Sequence, residues 1–451
     1  MYAKSLSTLF LLFISLISFG QKDSHFKQLA KIRHNCETIM GSFSGKPETI
    51  EALIKEGNTG LKLTKETDQE FKFSFYMAIG SGYYYKQDFK SAKDNFEKAY
   101  TSAVNAGIHE KSLRPLGNLV FVYHYLGMQS EADVAAQKLK NAVETIDTLK
   151  NKTDIYYNLG IYNQQQKFYY SIALENFLKS VELHKPILDT TKILKKKLDY
   201  ASKLMMVAEI YIQLKQPKKA LEYLNEAKPH INLSLLVDIS AYGKFIRAYV
   251  LLNDKKQALK YYNLLHKAAG ENASRWSELV SSNLEIAFLY AKEKDYKTAK
   301  VYLEKADKQS KLDNKEILTS SVNLAYGDFY KNQQDYLKAS KYYKLAEKGS
   351  KIYNKEQYSE LLKALTEVEI KSGNAKEASI TFNKYLSVSD SLNQRKVALN
   401  LAEMEAKFQN KFKQQKIGEL NKENEDKDVQ LYEEKRTRWF LIGGAFLLLI
   451  A

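Results

Sequence analysis

One cysteine in 451 residues, Cys36, excludes an intrachain disulfide, so the fold must rest on packing alone. Five prolines and nineteen glycines leave little punctuation for β-turns and favour long helices. Arginine is scarce, at seven of the 69 cationic residues. No dense Lys/Arg block occurs, and the lysines are scattered among 53 acids. The net charge of +16 therefore reads as a solvated lysine-rich surface, and no nucleic acid is expected as a partner of the residues present. Long apolar runs are confined to the two ends, which excludes a polytopic membrane protein. A content of 44% hydrophobic and 27% charged residues excludes a disordered polymer.

The two ends are informative. Residues 1–20, "MYAKSLSTLFLLFISLISFG", place one lysine before an apolar stretch that ends in small residues, as an export signal does. Cleavage is expected before Gln21. At the other end, Trp439 to Ala451 are thirteen residues without a charge. As a helix they would rise about 20 Å, against the roughly 30 Å of a bilayer core, so they read as the first two-thirds of a membrane crossing that continues past Ala451.

Between the ends the chain repeats itself. "FYMAIGSGYYYKQDFKSAKDNFEKAY" returns in altered form as "VNLAYGDFYKNQQDYLKASKYYKLAE" and as "SNLEIAFLYAKEKDYKTAKVYLEKAD". Each copy has a small residue, an aromatic three later, a polar turn and an alanine. A large apolar residue follows that alanine at four, and usually another alanine three beyond. These are Gly80, Tyr83, Ala92, Phe96 and Ala99; Gly327, Tyr330, Ala339, Tyr343 and Ala346; Ala287, Tyr290, Ala299, Leu303 and Ala306; and Ala208, Tyr211, Ala220, Leu224 and Ala227. A further copy holds Gly160, Ala173, Phe177 and Ser180 with one extra residue in its turn. Intervals of three and four put side chains on one stripe of a helix, and a small residue lets an antiparallel neighbour pack close. With weaker copies included, the anchor alanine falls at 92, 132, 173, 220, 258, 299, 339 and 378.

This pattern resembles the tetratricopeptide repeat (TPR), with units of about forty residues in place of the usual 34. The resemblance implies an all-α fold: a right-handed solenoid of about eight helix pairs over residues 67–390, with the first helix of each pair lining the concave face. Residues 21–66 would form a helical cap.

Catalytic chemistry is hard to find. "GSFSGKP" at 41–47 has three residues between its glycines where a phosphate-cradling loop has four, and Pro47 stands where a Mg²⁺-binding hydroxyl is needed. The seven histidines are dispersed with no metal-ligand spacing. No catalytic residue, metal ligand or cofactor site is expected, and an enzyme is not expected. TPR arrays bind extended peptides or partner helices. The subtype that grips a C-terminal carboxylate with Lys and Asn has Met77 and Ser81, Tyr157 and Ile161, or Leu324 and Asp328 at those positions here, so that clamp is missing. Tyr157, Ile161, Met205, Leu284 and Phe288 instead suggest a groove for an apolar or helical ligand.

Residues 391–438 are rich in helix formers. They read either as a single charged helix of about 70 Å, or as a two-stranded parallel coiled coil whose seam includes Val397, Leu401, Met404 and Phe408. The second reading makes the chain a homodimer through 391–438. The order of parts is similar to that of TPR-containing membrane sensors common in Bacteroidetes, which carry an export signal, periplasmic repeats, a charged helix, one span and a histidine kinase or helix-turn-helix output. That resemblance implies a non-catalytic, protein- or peptide-binding sensor region with an exported repeat domain anchored to the inner membrane by its C-terminal helix. Lys435, Arg436 and Arg438 before the apolar segment run against this topology. The alternative is a membrane-tethered scaffold that assembles envelope proteins without signalling.

Overall fold

The computed structural model describes residues 24–41, 47–146, 148–164, 169–189, 194–231, 234–270, 277–313, 316–353 and 355–393, with scattered positions between 404 and 438. The expected export signal at 1–20 and the apolar segment at 439–451 lie outside them, as does most of 391–438. Contacts divide the chain into one unit ending at Leu392 and a second from Asn393. The second unit includes an exposed helical run at 430–436. Among the described residues no helix is long and apolar enough to cross a membrane.

The first unit is all-helical, with no strand among its described residues. Two helices, α1 (24–41) and α2 (Pro47–Leu63), precede eight antiparallel pairs. The pairs are α3 (Gln69–Tyr85) with α4 (Phe89–Asn105), α5 (His109–Tyr125) with α6 (Gln129–Thr145), and α7 (Leu149–Tyr162) with α8 (Tyr170–Asp189). Then come α9 (Leu194–Gln213) with α10 (Pro217–Ala227), α11 (Leu235–Leu251) with α12 (Lys255–Ala269), and α13 (Ser277–Lys292) with α14 (Tyr296–Asp313). The last are α15 (Glu316–Asn332) with α16 (Tyr336–Tyr353), and α17 (Lys355–Lys371) with α18 (375–393). Pro47 opens α2, where its missing N–H costs nothing.

A short backbone device recurs in the hairpins. In seven of the eight pairs the turn passes through one left-handed residue: Gln87, Gly127, Lys215, Asn253, Lys294, Gln334 or Gly373. The next amide then bonds back to the third-last residue of the helix, as from Asp88 to the Tyr83 carbonyl (3.0 Å) and from Asp335 to that of Tyr330 (3.0 Å). This is a Schellman closure, and it satisfies carbonyls that the helix end would otherwise orphan. Asp88, Asp254, Asp295 and Asp335 then cap the second helix by accepting from the amide three residues on, at 3.0–3.1 Å.

Volume is matched inside five of the pairs. The small residue of the first helix faces the large one of the second. A Cβ on Gly80 would lie 2.7 Å from Phe96, on Gly160 2.6 Å from Phe177, and on Gly327 2.4 Å from Tyr343. Where the small residue is alanine the large one shrinks to leucine, as in Ala208 with Leu224 and Ala287 with Leu303, all buried. Ala92, Ala99, Ala173, Ala220, Ala227, Ala299, Ala306, Ala339 and Ala346 are also buried. Tyr211 is nearly buried, and Tyr83, Tyr290 and Tyr330 partly so.

From α9 to α16 a second aromatic completes each pair. Tyr211 stacks on Tyr223, Tyr249 on Tyr261, Tyr290 on Tyr302 and Tyr330 on Tyr342, with centroids 5.4–5.7 Å apart and planes within 17°. Lysines lie over several of these rings, among them Lys219 over Tyr211 and Lys338 over Tyr330.

Candidate ligand groove

A cleft of about 840 Å³ runs along α1 and the first helices of the first four pairs, α3, α5, α7 and α9. Its lining follows from helical spacing. Residues four apart share a face, so α5 presents Glu110, Arg114 and Asn118 to it and α7 presents Lys150, Asp154 and Asn158. Because the repeat is about forty residues long, these positions form rows across helices: Ser74, Arg114, Asp154 and Ser202 in one, Ala78, Asn118 and Asn158 in another.

The polar groups of the cleft are partly engaged. Glu110 accepts from the Asn151 amide (2.8 Å) and the Thr148 hydroxyl (3.2 Å), which ties α5 to α7. Lys203, buried on α9, donates to Asp154 (3.3 Å) and sits 5.2 Å from the Tyr157 ring centroid. Burial raises the Tyr157 phenol far above its ordinary range, helped by the nearby Asp199, so it remains a neutral hydrogen-bonding group at any physiological pH. At the rim Lys111 (2.7 Å) and Arg33 (3.8 Å) share Glu70, and the Lys111 bond is the main cause holding that carboxyl below its usual range.

Asn118 and Asn158 differ from these groups. Neither side chain has a hydrogen-bond partner among the described residues, and both are partly open to the cleft. Gly117 leaves room for the second of them: a Cβ there would lie 2.0 Å from the Asn158 Nδ2. A carboxamide offers a donor and an acceptor side by side, the complement of a peptide unit. Two of them one repeat apart, between cations and carboxylates, suit an extended polar chain.

Of the residues expected to form an apolar groove, Tyr157 lines this cleft. Ile161 and Met205 are 4% and 5% exposed and belong to the largest core cluster, which runs from α7 to α13. Leu284 packs against a core between α13 and α15, and Phe288 is 57% exposed on α13. These four are not among the cleft-lining residues. The sequence holds one trace of the missed pair: Asn118 and Asn158 occupy equivalent positions forty residues apart, on faces that also carry Arg114 and Asp154.

A second polar cluster lies just beyond. Glu209 on α9 is buried and accepts from Lys244 (2.9 Å) and Arg247 (2.8 and 3.0 Å) on α11. Burial alone would raise its carboxyl, but the two cations outweigh burial and hold it at about 2. Gln213 donates to Glu209 (3.4 Å) and Gln164 to Gln213 (3.5 Å), so the bridge spans three pairs. Among the described residues no group of three His, Cys, Asp or Glu is placed to hold a metal ion.

Comparison with known proteins agrees with the repeat reading. The tetratricopeptide repeat family matches residues 204–228 and 280–311. A Rap protein solved in complex with competence and sporulation factor shares 13% identity and a TM-score of 0.55, covering 82% of this chain and 99% of its own. The apo quorum sensor NprR from B. thuringiensis has 13% identity, a TM-score of 0.48 and coverage of 81% and 87%. A tetratricopeptide repeat protein from Parabacteroides merdae has 16%, 0.45, and 65% and 98%. No curated protein sequence matches the chain. The chain carries tetratricopeptide repeats stacked as a helical solenoid, the fold of a protein-interaction region.

Proposed function

We propose that this chain is the non-catalytic sensing region of a single-span membrane signal transducer, and that an extended peptide bound along α3, α5, α7 and α9 is its input. The observation that carries the reading is the pair of unengaged carboxamides, Asn118 and Asn158, set one repeat apart in a cleft of peptide-binding size. Support of a coarser kind comes from the Rap protein, a solenoid of similar fold solved in complex with competence and sporulation factor. The membrane part of the reading rests on sequence: the export-type residues 1–20, the helix-forming stretch 391–438 and the apolar residues 439–451. In this reading the repeats lie in the periplasm, and the helix-forming stretch, paired in a homodimer, passes the bound state inward.

The test uses the full chain and a random decapeptide library. Peptides retained by the natural protein should lose about tenfold in affinity with Asn158→Ala, and more with Asn118→Ala added, while thermal stability stays within about 0.5 kcal/mol. Retention indifferent to both changes would exclude this cleft. Reporter fusions at residue 300 that are active only in the cytoplasm would exclude the exported topology.

A further inference from the structure

The second helix of each pair turns one stripe away from its partner. Counted from the buried anchor alanine, the positions two before it and two, five, six and nine after it fall within about 60° of the opposite direction. In α12, α14, α16 and α18 all twenty of these residues are exposed. Eleven are lysine, one is acidic (Glu304), and none is arginine or aromatic. Five are aliphatic: Leu264, Val301, Leu337, Leu345 and Ile380, 37–69% exposed. Counted the same way, α4, α6, α8 and α10 hold five lysines and six acids, with Val134 the one exposed large aliphatic. Lysines that look evenly scattered along the sequence are thus gathered by the fold on the outside of the last four pairs.

Little of this charge is used within the protein. Lys344, Lys348 and Lys384 pair with Glu369, Glu316 and Glu347 at 3.0–3.1 Å, and Glu304 is countered by Lys300 at 3.8 Å. The other eight lysines have no carboxylate partner among the described residues. The residue types select the partner. Lysine is depleted from protein interfaces. Nucleic acid calls for arginine forks or stacking rings, and the stripe has neither. Lysines interleaved with single aliphatic side chains suit a bilayer surface, where ammonium groups meet anionic headgroups and the aliphatic ends reach the headgroup boundary. We infer that the outward face of α12, α14, α16 and α18 docks on an anionic lipid surface. The inference stands on described residues of the repeats alone, and it leaves the cleft along the first helices open to a ligand.

Cys36 makes the test direct. Burial, with Glu56 and Glu37 nearby, pushes its thiol up to about 12, so a cysteine added on the surface is the one that takes a maleimide dye. The full chain carries an environment-sensitive dye at Leu345→Cys or, as a control, at Val134→Cys. It is reconstituted into vesicles of phosphatidylcholine alone or with about one-third phosphatidylglycerol. Emission at Leu345→Cys should shift to the blue only in the anionic vesicles. Salt at about 1 M, which cuts the reach of charges to about 3 Å, should reverse the shift. Emission at Val134→Cys should not respond. Adding Lys308→Glu and Lys341→Glu, which remove two of the unpaired lysines, should abolish the response with the melting midpoint and circular dichroism unchanged. Equal emission from Leu345→Cys in the two vesicle types would overturn the inference, as would an equal shift at Val134→Cys. A shift produced by duplex DNA but not by anionic vesicles would overturn it too, and would assign the face to nucleic acid.

Discussion

The first three repeat pairs, α3 to α8, and the next four, α9 to α16, share anchor alanines but are finished differently. From α9 onward each pair stacks one tyrosine on another at nearly the same distance and angle. In the first three the second tyrosine is replaced by Asn95, Ala135 and Asn176. The cleft runs almost wholly along this less regular half, whereas both segments that match the repeat family lie in the regular half. The stacked tyrosines bind helix to helix in the regular half, whereas the cleft is lined by first-helix residues that recur at the same forty-residue period without joining such stacks.

The buried ion-pair cluster that opens the regular half should be the most sensitive point. Glu209→Ala leaves Lys244 and Arg247 partly buried without their counter-ion and should cost about 3–5 kcal/mol in chemical denaturation. A loss under about 1 kcal/mol would mean that α9 and α11 are not tied there.

Acid should act on the irregular half. His184 on α8 is buried where the pairs α3/α4, α13/α14 and α15/α16 carry Ala103, Ser310 and Ser350. Burial first, then Lys203, lowers it to about 4, against the opposing pull of its hydrogen bond to the Lys196 carbonyl and of the more distant Asp154. A histidine with a depressed folded value stabilises fully above its unfolded value and loses that contribution as pH falls through 6.5 toward 4. The loss is on the order of 3 kcal/mol at the low end. His184→Leu should flatten that slope in pH-dependent melting, and an unchanged slope would remove His184 as its source.

Volume matching comes next. Gly80→Ala should cost about 1–3 kcal/mol, and Phe96→Leu in the same chain should recover part of it, because the regular half already uses the Ala–Leu combination. Strict additivity of the two changes in a double-mutant cycle would show that they do not share one space. In the regular half, Tyr302→Leu should cost about 0.5–1.5 kcal/mol through the lost stack, read as a lower denaturation midpoint. The smallest effect is a gain. Gln334 has a φ of 62°, and Gln334→Gly should stabilise by about 0.5 kcal/mol by relieving the left-handed strain. A lower melting temperature would show that the unfolded-state entropy of glycine dominates.

The packing scaffold was readable because its signal is redundant: eight anchors at nearly constant spacing outweigh any one substitution. The Gly–aromatic and Ala–Leu exchange was also visible in the letters, once paired positions are compared. The cleft was not, because exposure cannot be read from hydrophobicity. Ile161 and Met205 look like ligand contacts on a helical wheel, yet the neighbouring pair buries them. Asn118 and Asn158 look like ordinary surface polar residues until adjacent helices bring them into one row. Residues 1–20 and 439–451, which carry the membrane expectation, lie outside the described residues.

The hairpin closure has a consequence for how such a chain is made. In seven of the eight pairs the turn is completed by backbone bonds between residues five apart or fewer, and in four of these a cap three residues on follows. Nothing distant in sequence is needed to reverse the chain, so any pair can serve as the starting point of folding and hand its open face to the next. A gene that copies a block of forty codons therefore copies a working joint along with it, and the array can lengthen without redesign of what it already has.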